Sequence, residues 1–309
     1  MKKTVKIGFL LLILGIILAI LGIANNGIQT VYWKNGFHVQ HRYVETSHPS
    51  KIESITLQTG SDVVIQSGDR NSVKVVSGLQ KLTVEVNDGH LTVRSSSGSY
   101  QTFNFQLTRA IHDTTVITVA RGTKLSEIKA DSQQEGDVRI SNLAVKSLAL
   151  QIHGDLNLNQ LTVDDPLTDL TAENTSLTKV TAPSLGLKSD GDVHIDQSKF
   201  DQAASSIESN DDVTMRQTQL KSGQINTVDS DVSLANNQLA QQLAVKTTDG
   251  DIHVTADRNV GVNASTTDGD LTVFDWHSDE TNNYQTQPKA SQQYQLTTTD
   301  GDINVRATS

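Results

Sequence analysis

A chain of 309 residues is long enough to bury a core, and its zero cysteines exclude disulfides, thiolate metal sites and a thiol nucleophile. Aromatic residues make up 4%, charged residues 19% and hydrophobic residues 36%, so uncharged polar side chains dominate; 20 Gly against 4 Pro fit neither a collagen-like nor a polyproline chain. The net charge is −10, and beyond the first 24 residues 22 basic side chains face 35 acidic ones, which argues against nucleic acid or anionic lipid as partner of that part.

The first element is apolar. Ile7 to Ala24, IGFLLLILGIILAILGIA, has no charged residue; as a helix, 18 residues rise about 27 Å, enough to cross a bilayer core. Lys2, Lys3 and Lys6 precede it and no basic residue follows before Lys34, so the positive-inside rule puts the N-terminus in the cytoplasm and the bulk of the chain outside. Residues 1–24 thus read as a basic tip and a single transmembrane signal-anchor helix. Gly22-Ile23-Ala24 also offers the small residues of a cleavage site, but the apolar run exceeds a usual signal-peptide core, and Tyr32 and Trp33 suit an outer interface. Gly8, Gly15 and Gly22 recur every seven residues, a small-residue stripe that would suit homo-oligomer formation through the helix or reflect ordinary glycine use in membrane helices.

Residues 25–50 have no period and read as a juxtamembrane stalk. Alternation of apolar and polar residues then predicts strands at Ile52–Leu57, Val63–Gln66, Val73–Val76, Leu82–Val86, Leu91–Arg94 and Thr115–Val119. Their spacing is irregular, so residues 51–125 form an irregular β lead-in.

From residue 126 to 309 the chain repeats itself. The clearest copies are TTDGDIHV from Thr247, TTDGDLTV from Thr266, TTDGDINV from Thr298 and SDGDVHI from Ser189; weaker ones begin at Glu135, His153, Asn210 and Asp229. The unit is 18 to 20 residues, with a degenerate copy, ENTSLTKV, around Asn174 and an insertion at about residues 275–295. Each unit is alternation, a polar turn, then alternation. A two-residue hairpin is one reading of Asp-Gly between strands; the regular period favours a coil corner, with like positions stacked from coil to coil. The fold class is therefore all-β: a repetitive β-solenoid, parallel β-helix-like, of about nine coils after one transmembrane helix. Three or four inward aliphatics at about 1.5–3 kcal/mol each cannot offset the ordering of one coil at about 1–2 kcal/mol per residue, so a lone coil would not fold.

Trp33, Gly36-Phe37, the I-x-x-I-x-L-x-x-x-x-D-V-V-I run at Ile52–Ile65, VITVARGT at Val116–Thr123 and the serial G-D-[VIL] strands together resemble the bacterial putative-adhesin family over roughly residues 50–309. The resemblance implies a surface location and an adhesive or envelope-associated role, with no known reaction.

Stacked aspartates about 4.8 Å apart repel by about 1 kcal/mol in water and by more near protein, so they must be solvated, offset or bridged. Bridging Ca²⁺ would use Asp249, Asp251, Asp268, Asp270, Asp300 and Asp302; otherwise aspartate caps its own turn and Gly250, Gly269 and Gly301 supply positive φ. His153, His194 and His253 flank three of the turns and are candidates for a shared metal or pH-sensitive face. The insertion gathers Trp276, His277, Tyr284 and Tyr294, either as a ligand-binding loop or as a cap over the last layer.

No P-loop, dinucleotide fingerprint, HExxH or GxSxG sequence occurs. Paired carboxylates could serve glycoside cleavage, but a catalytic pair is singular and these recur in every coil. The expected function is a non-enzymatic surface binding module or adhesin. Its partners are the membrane and a cell-wall glycan or surface protein, with no nucleic acid and no cofactor beyond possible Ca²⁺. An envelope-stress sensor or scaffold and a carbohydrate-active β-helix enzyme are the alternatives.

Overall fold

A computed structural model describes residues 2–24, 31–33, 37–39, 43–78, 82–95, 113–279 and 282–308. Gly36 and His41 lie outside these residues, and the side chains of Gly22, Tyr32, Trp33, Phe37 and His38 lie outside the described ones.

The helix Lys2–Ala24 is present, and every described side chain on it, Val5 to Leu21, is exposed. The structure does not show the expected transmembrane span: among the described residues no helix is long and apolar enough to cross a membrane.

Past residue 42 the described residues form one sheet of 27 strands. Alternation puts one side chain in two inward, and strict parallel register stacks them in columns. One wall carries Ile117, Ile65, Ile140, Leu158, Leu177, Ile195, Met215, Leu234, Val254, Val305 and Val273, each beside the next. The opposite wall carries Val93, Leu57, Ala130, Leu150, Leu170, Leu187, Ile207, Ile225, Val245, Leu296 and Ala264. All of these are buried. In the middle layers a third wall adds pairs such as Leu143 beside Leu161, and Leu220 between Phe200 and Leu239. A core this thin has room for few rings, which accounts for the aromatic scarcity.

A second corner, without glycine, recurs on the same period. Asn142, Gln160, Lys179, Gln197, Gln217 and Asn236 hold φ between 48° and 57°. All six are exposed, so the left-handed turn is made by polar residues whose side chains reach water.

Stacking order departs from sequence order at both ends. Strand Gln293–Thr297 pairs with Gln242–Lys246 on one side and with Gly261–Ser265 on the other; Ile303–Ala307 likewise lies between Ile252–Ala256 and Leu271–Val273. The layer at 293–307 is therefore slotted between two layers that precede it in the chain. At the other end Ser54–Gln58 and Asp62–Gly68 sit between the layer of His90–Ser95 and Thr114–Ala120 and that of Lys124–Gln134 and Val138–Ile152.

Antiparallel strands then close the two open edges. Ser72–Ser77 lies on Thr114–Ala120, Tyr43–Ser47 on Ser72–Ser77, and Leu82–Asn87 on His90–Ser95. Trp276–Ser278 lies on Leu271–Val273 and Asn283–Thr286 on Gly261–Ser265. Short, antiparallel lids answer the edge problem that every open parallel stack has.

Candidate functional site

The repeated turn is where the sequence concentrates its acids, and the structure assigns each position of T-T-D-G-D a task. The first threonine points inward: Thr247, Thr298 and Thr266 are buried. Thr298 Oγ1 donates to the carbonyls of Thr248 and Gly250 at 3.2 and 3.0 Å, and Thr247 Oγ1 to those of Val228 and Ser230 at 2.8 and 3.1 Å. Carbonyls that a corner would leave unpaired are thus satisfied from the next layer. In a copy without this threonine, Ser209 donates in the same way to the carbonyl of Gly191.

The glycines do not supply positive φ: among described glycines only Gly89 and Gly122 have it. A Cβ on Gly250 would instead collide with the carbonyl of Ser230, one on Gly301 with that of Gly250, and one on Gly269 with that of Gly301. Glycine is there because successive turns lie backbone against backbone.

The last aspartate caps the neighbouring layer rather than its own turn. The N–H of Asp251 donates to Asp231 Oδ1, that of Asp302 to Asp251 Oδ1 and that of Asp270 to Asp302 Oδ1, each at 2.8 Å. The chain of such bonds extends through Asp62, Asp137, Asp155, Asn174 and Asp192, except that the side-chain amide of Asn174, not its backbone N–H, donates to Asp155. It breaks once, where the N–H of Asp212 turns to Asp211 at 3.0 Å. Repulsion between stacked carboxylates is offset by charge-assisted hydrogen bonds.

The six aspartates read as Ca²⁺ candidates stand in this turn stack. Asp251, Asp270 and Asp302 are joined by the ladder, and Asp249, Asp268 and Asp300 are exposed beside it. None belongs to a ligand-like trio; among the described residues the one set close enough to share an ion is Asp192, Asp211 and Asp212, all exposed, with donor atoms within 4.8 Å.

His194 and His253 do share one outward column, but Thr214 and Ser233 lie between them. Three strand spacings put them about 14 Å apart, too far to hold one ion. His153 is outside that column.

The aromatic insertion is built as a lid. Trp276 and Tyr284 stack with ring centroids 4.0 Å apart and pack, with Phe274, against the core. Arg258 pairs with Asp275 through both nitrogens, at 2.5 and 3.0 Å, and lies 5.6 Å from the centre of the Phe274 ring. That ion pair holds the Asp275 carboxyl below its ordinary pKa. His277 is exposed and bonded to Thr272 at 2.9 Å. Tyr294 belongs to the slotted layer, where burial pushes its phenol well above the ordinary value and its hydroxyl lacks a hydrogen-bond partner.

A stack of parallel layers with aliphatic columns, hydrogen-bonded polar turns and antiparallel lids defines a capped β-solenoid. This chain belongs to the Toastrack DUF4097 family, whose model matches residues 52–306, in agreement with the resemblance carried by Ile52–Ile65 and the G-D-[VIL] strands. Among solved structures it is similar to a putative adhesin from Bacteroides fragilis, with 13% identity over 87% of this chain and 97% of that one and a TM-score of 0.33. A putative cell adhesion protein from Clostridium sporogenes has 12% identity over 87% and 100%, at a TM-score of 0.21. A putative lipid binding protein from Parabacteroides distasonis has 14% identity over 86% and 96%, at 0.36. No curated protein matches the chain.

Proposed function

We propose that the chain is a non-enzymatic surface binding protein of the adhesin type, anchored by its N-terminal helix with the solenoid outside the cell. The observation that carries this reading is the use of the turn carboxylates. Asp251, Asp302 and Asp231 each spend an oxygen on a backbone N–H of the next layer, so the most abundant acids serve the stack. A glycosidase needs two carboxyl groups set apart in roles as acid and base or nucleophile, and a regular ladder gives no pair such a distinction. What remains is a long, polar, repetitive outer surface, suited to many weak contacts with an envelope glycan or surface protein.

Anchoring is supported by the unbroken apolar run Ile7–Ala24 behind three lysines and by the exposure of Val5 to Leu21 on the helix, since that much apolar surface facing water is costly.

The test has two readouts. Full-length chain resists alkaline extraction from membranes, and release into the soluble fraction would overturn the anchor. Full-length chain in detergent retains binding to intact envelopes when Asp251→Asn or Asp270→Asn is made singly; complete loss from one such change, in a folded protein, would favour a catalytic or single-site mechanism.

A further inference from the structure

The degenerate repeat ENTSLTKV lacks both glycine and the second aspartate, and it forms the floor of a hollow of about 370 Å³ on the turn side of the solenoid. Two rows of side chains border it. On four successive strands Arg139, Asn157, Ser176 and His194 face outward in register, with the short Ser176 between longer neighbours. Beside them runs the turn ladder, in which Asn174 Nδ2 donates to Asp155 Oδ1 at 2.8 Å and the N–H of Asp192 donates to Asn174 Oδ1 at 3.0 Å. Arg139 is itself held by Asp137 at 3.0 Å.

We propose that this hollow binds a segment of neutral glycan, which rests on the reading of the protein as a surface binding module and gives that reading a place and a ligand class. The lining offers planar forks, a guanidinium, two amides and two carboxylates, together with a hydroxyl and an imidazole. Sugar hydroxyls both donate and accept, and neighbouring hydroxyls present paired oxygens that such forks engage two at a time. Asp155 and Asp192 repel an anionic polymer, as does the charge of −10. Of the nine residues lining the hollow, only Leu156 has an aliphatic side chain. The volume lies in the range of small-ligand sites, which accommodates a short saccharide stretch. A larger hollow of about 480 Å³ on another wall is lined by Ala204, Gly223, Ala244, three serines and the amides of Gln224 and Gln242, with no charged side chain or imidazole to orient a ligand. Exposed walls and the lack of an aromatic platform make the affinity of one site weak, so display of many copies on a cell would matter more than any single contact.

The experiment is titration calorimetry of the full-length chain in detergent with neutral hexasaccharides of glucose, mannose and N-acetylglucosamine, with hexagalacturonate and a lysine-rich peptide alongside. At least one neutral hexasaccharide binds, and the Asn157→Ala/His194→Ala double variant weakens it at least fivefold with unchanged thermal unfolding. Ser176→Leu, which fills the floor, does the same by another route. Binding of no neutral sugar, retention within twofold in both variants, or tighter binding of the acidic sugar or the peptide overturns the site. Envelope adhesion measured on the same proteins separates the two ideas: adhesion that survives both variants overturns this hollow as its seat, whereas wild-type protein that never adheres overturns the broader reading.

Discussion

The backbone N–H of Asp302 donates to the carboxylate of Asp251 across 2.8 Å of space and 51 residues of sequence. Asp270 in turn donates to Asp302, so the aspartate latest in the chain is the middle member of the three. The bond records in one contact both the role of the conserved spacing within this chain and the slotted order of its layers.

Asp251→Ala removes the acceptor and leaves the Asp302 N–H with water as its partner. A loss of about 1–2 kcal/mol is expected, whereas Asp251→Asn keeps an oxygen acceptor and removes a like charge, so it costs less than half as much. Urea unfolding at low and at high salt checks this. If the alanine and asparagine variants are equally unstable, the ladder owes its strength to charge and not to the shared acceptor.

Gly250→Ala should destabilise by about 1–3 kcal/mol because two turns would have to separate. At Gly122 the backbone has φ of 79° but nothing lies within 4 Å of an added Cβ, so Gly122→Ala carries only the left-handed penalty, about 1 kcal/mol. Combining Gly250→Ala with Ser230→Ala should not restore stability, because the collision is with a main-chain carbonyl. Rescue by the double change would refute the close-approach explanation.

Tyr294→Phe removes a buried hydroxyl that lacks a partner, and the change should raise stability by about 1 kcal/mol. A loss instead would mean that a bound water satisfies the hydroxyl, which a neutron or high-resolution crystal structure would reveal.

Deleting residues 293–309 should leave the layers at Gln242–Ala256 and Gly261–Val273 without the strands that join them. Protection from hydrogen exchange should fall across 242–273 and remain in 138–235. Deleting only 275–286, the lid, should instead affect chiefly Gly261–Ser265 and Leu271–Val273. The division matters because Tyr294, although it follows the lid closely in sequence, packs one layer further in, beyond Gly261–Ser265.

Much of the architecture was readable from the alternation. The strands expected at Val63–Gln66, Leu82–Val86 and Leu91–Arg94 lie within Asp62–Gly68, Leu82–Asn87 and His90–Ser95, because a period of two allows one face to be buried and permits little else. The slotted layers were not legible, since Ile303 and Leu271 are interchangeable in hydrophobic pattern and only register distinguishes them. Nor was the second corner: Gln197 and Lys179 carry no turn signature, and their left-handed φ is imposed by the stack around them. For the turn itself the residue types were informative but the reason was not. Glycine signals positive φ far more often than close approach, and nothing in TTDGD alone says which. The hollow around Ser176 had a faint signal, the one copy of the repeat that had lost its glycine and aspartate together.

The slotted layer also sets a schedule. Ribosomes and export channels deliver a chain from its N-terminus, so Ile252–Ala256 and Leu271–Val273 both arrive before Ile303–Ala307, the strand that must lie between them. Until then the earlier pair either waits unpaired or pairs directly in a false neighbourhood that must reopen. A protein assembled this way completes its far end in a single late event, and a helper that shields exposed strand edges during folding would act on that interval.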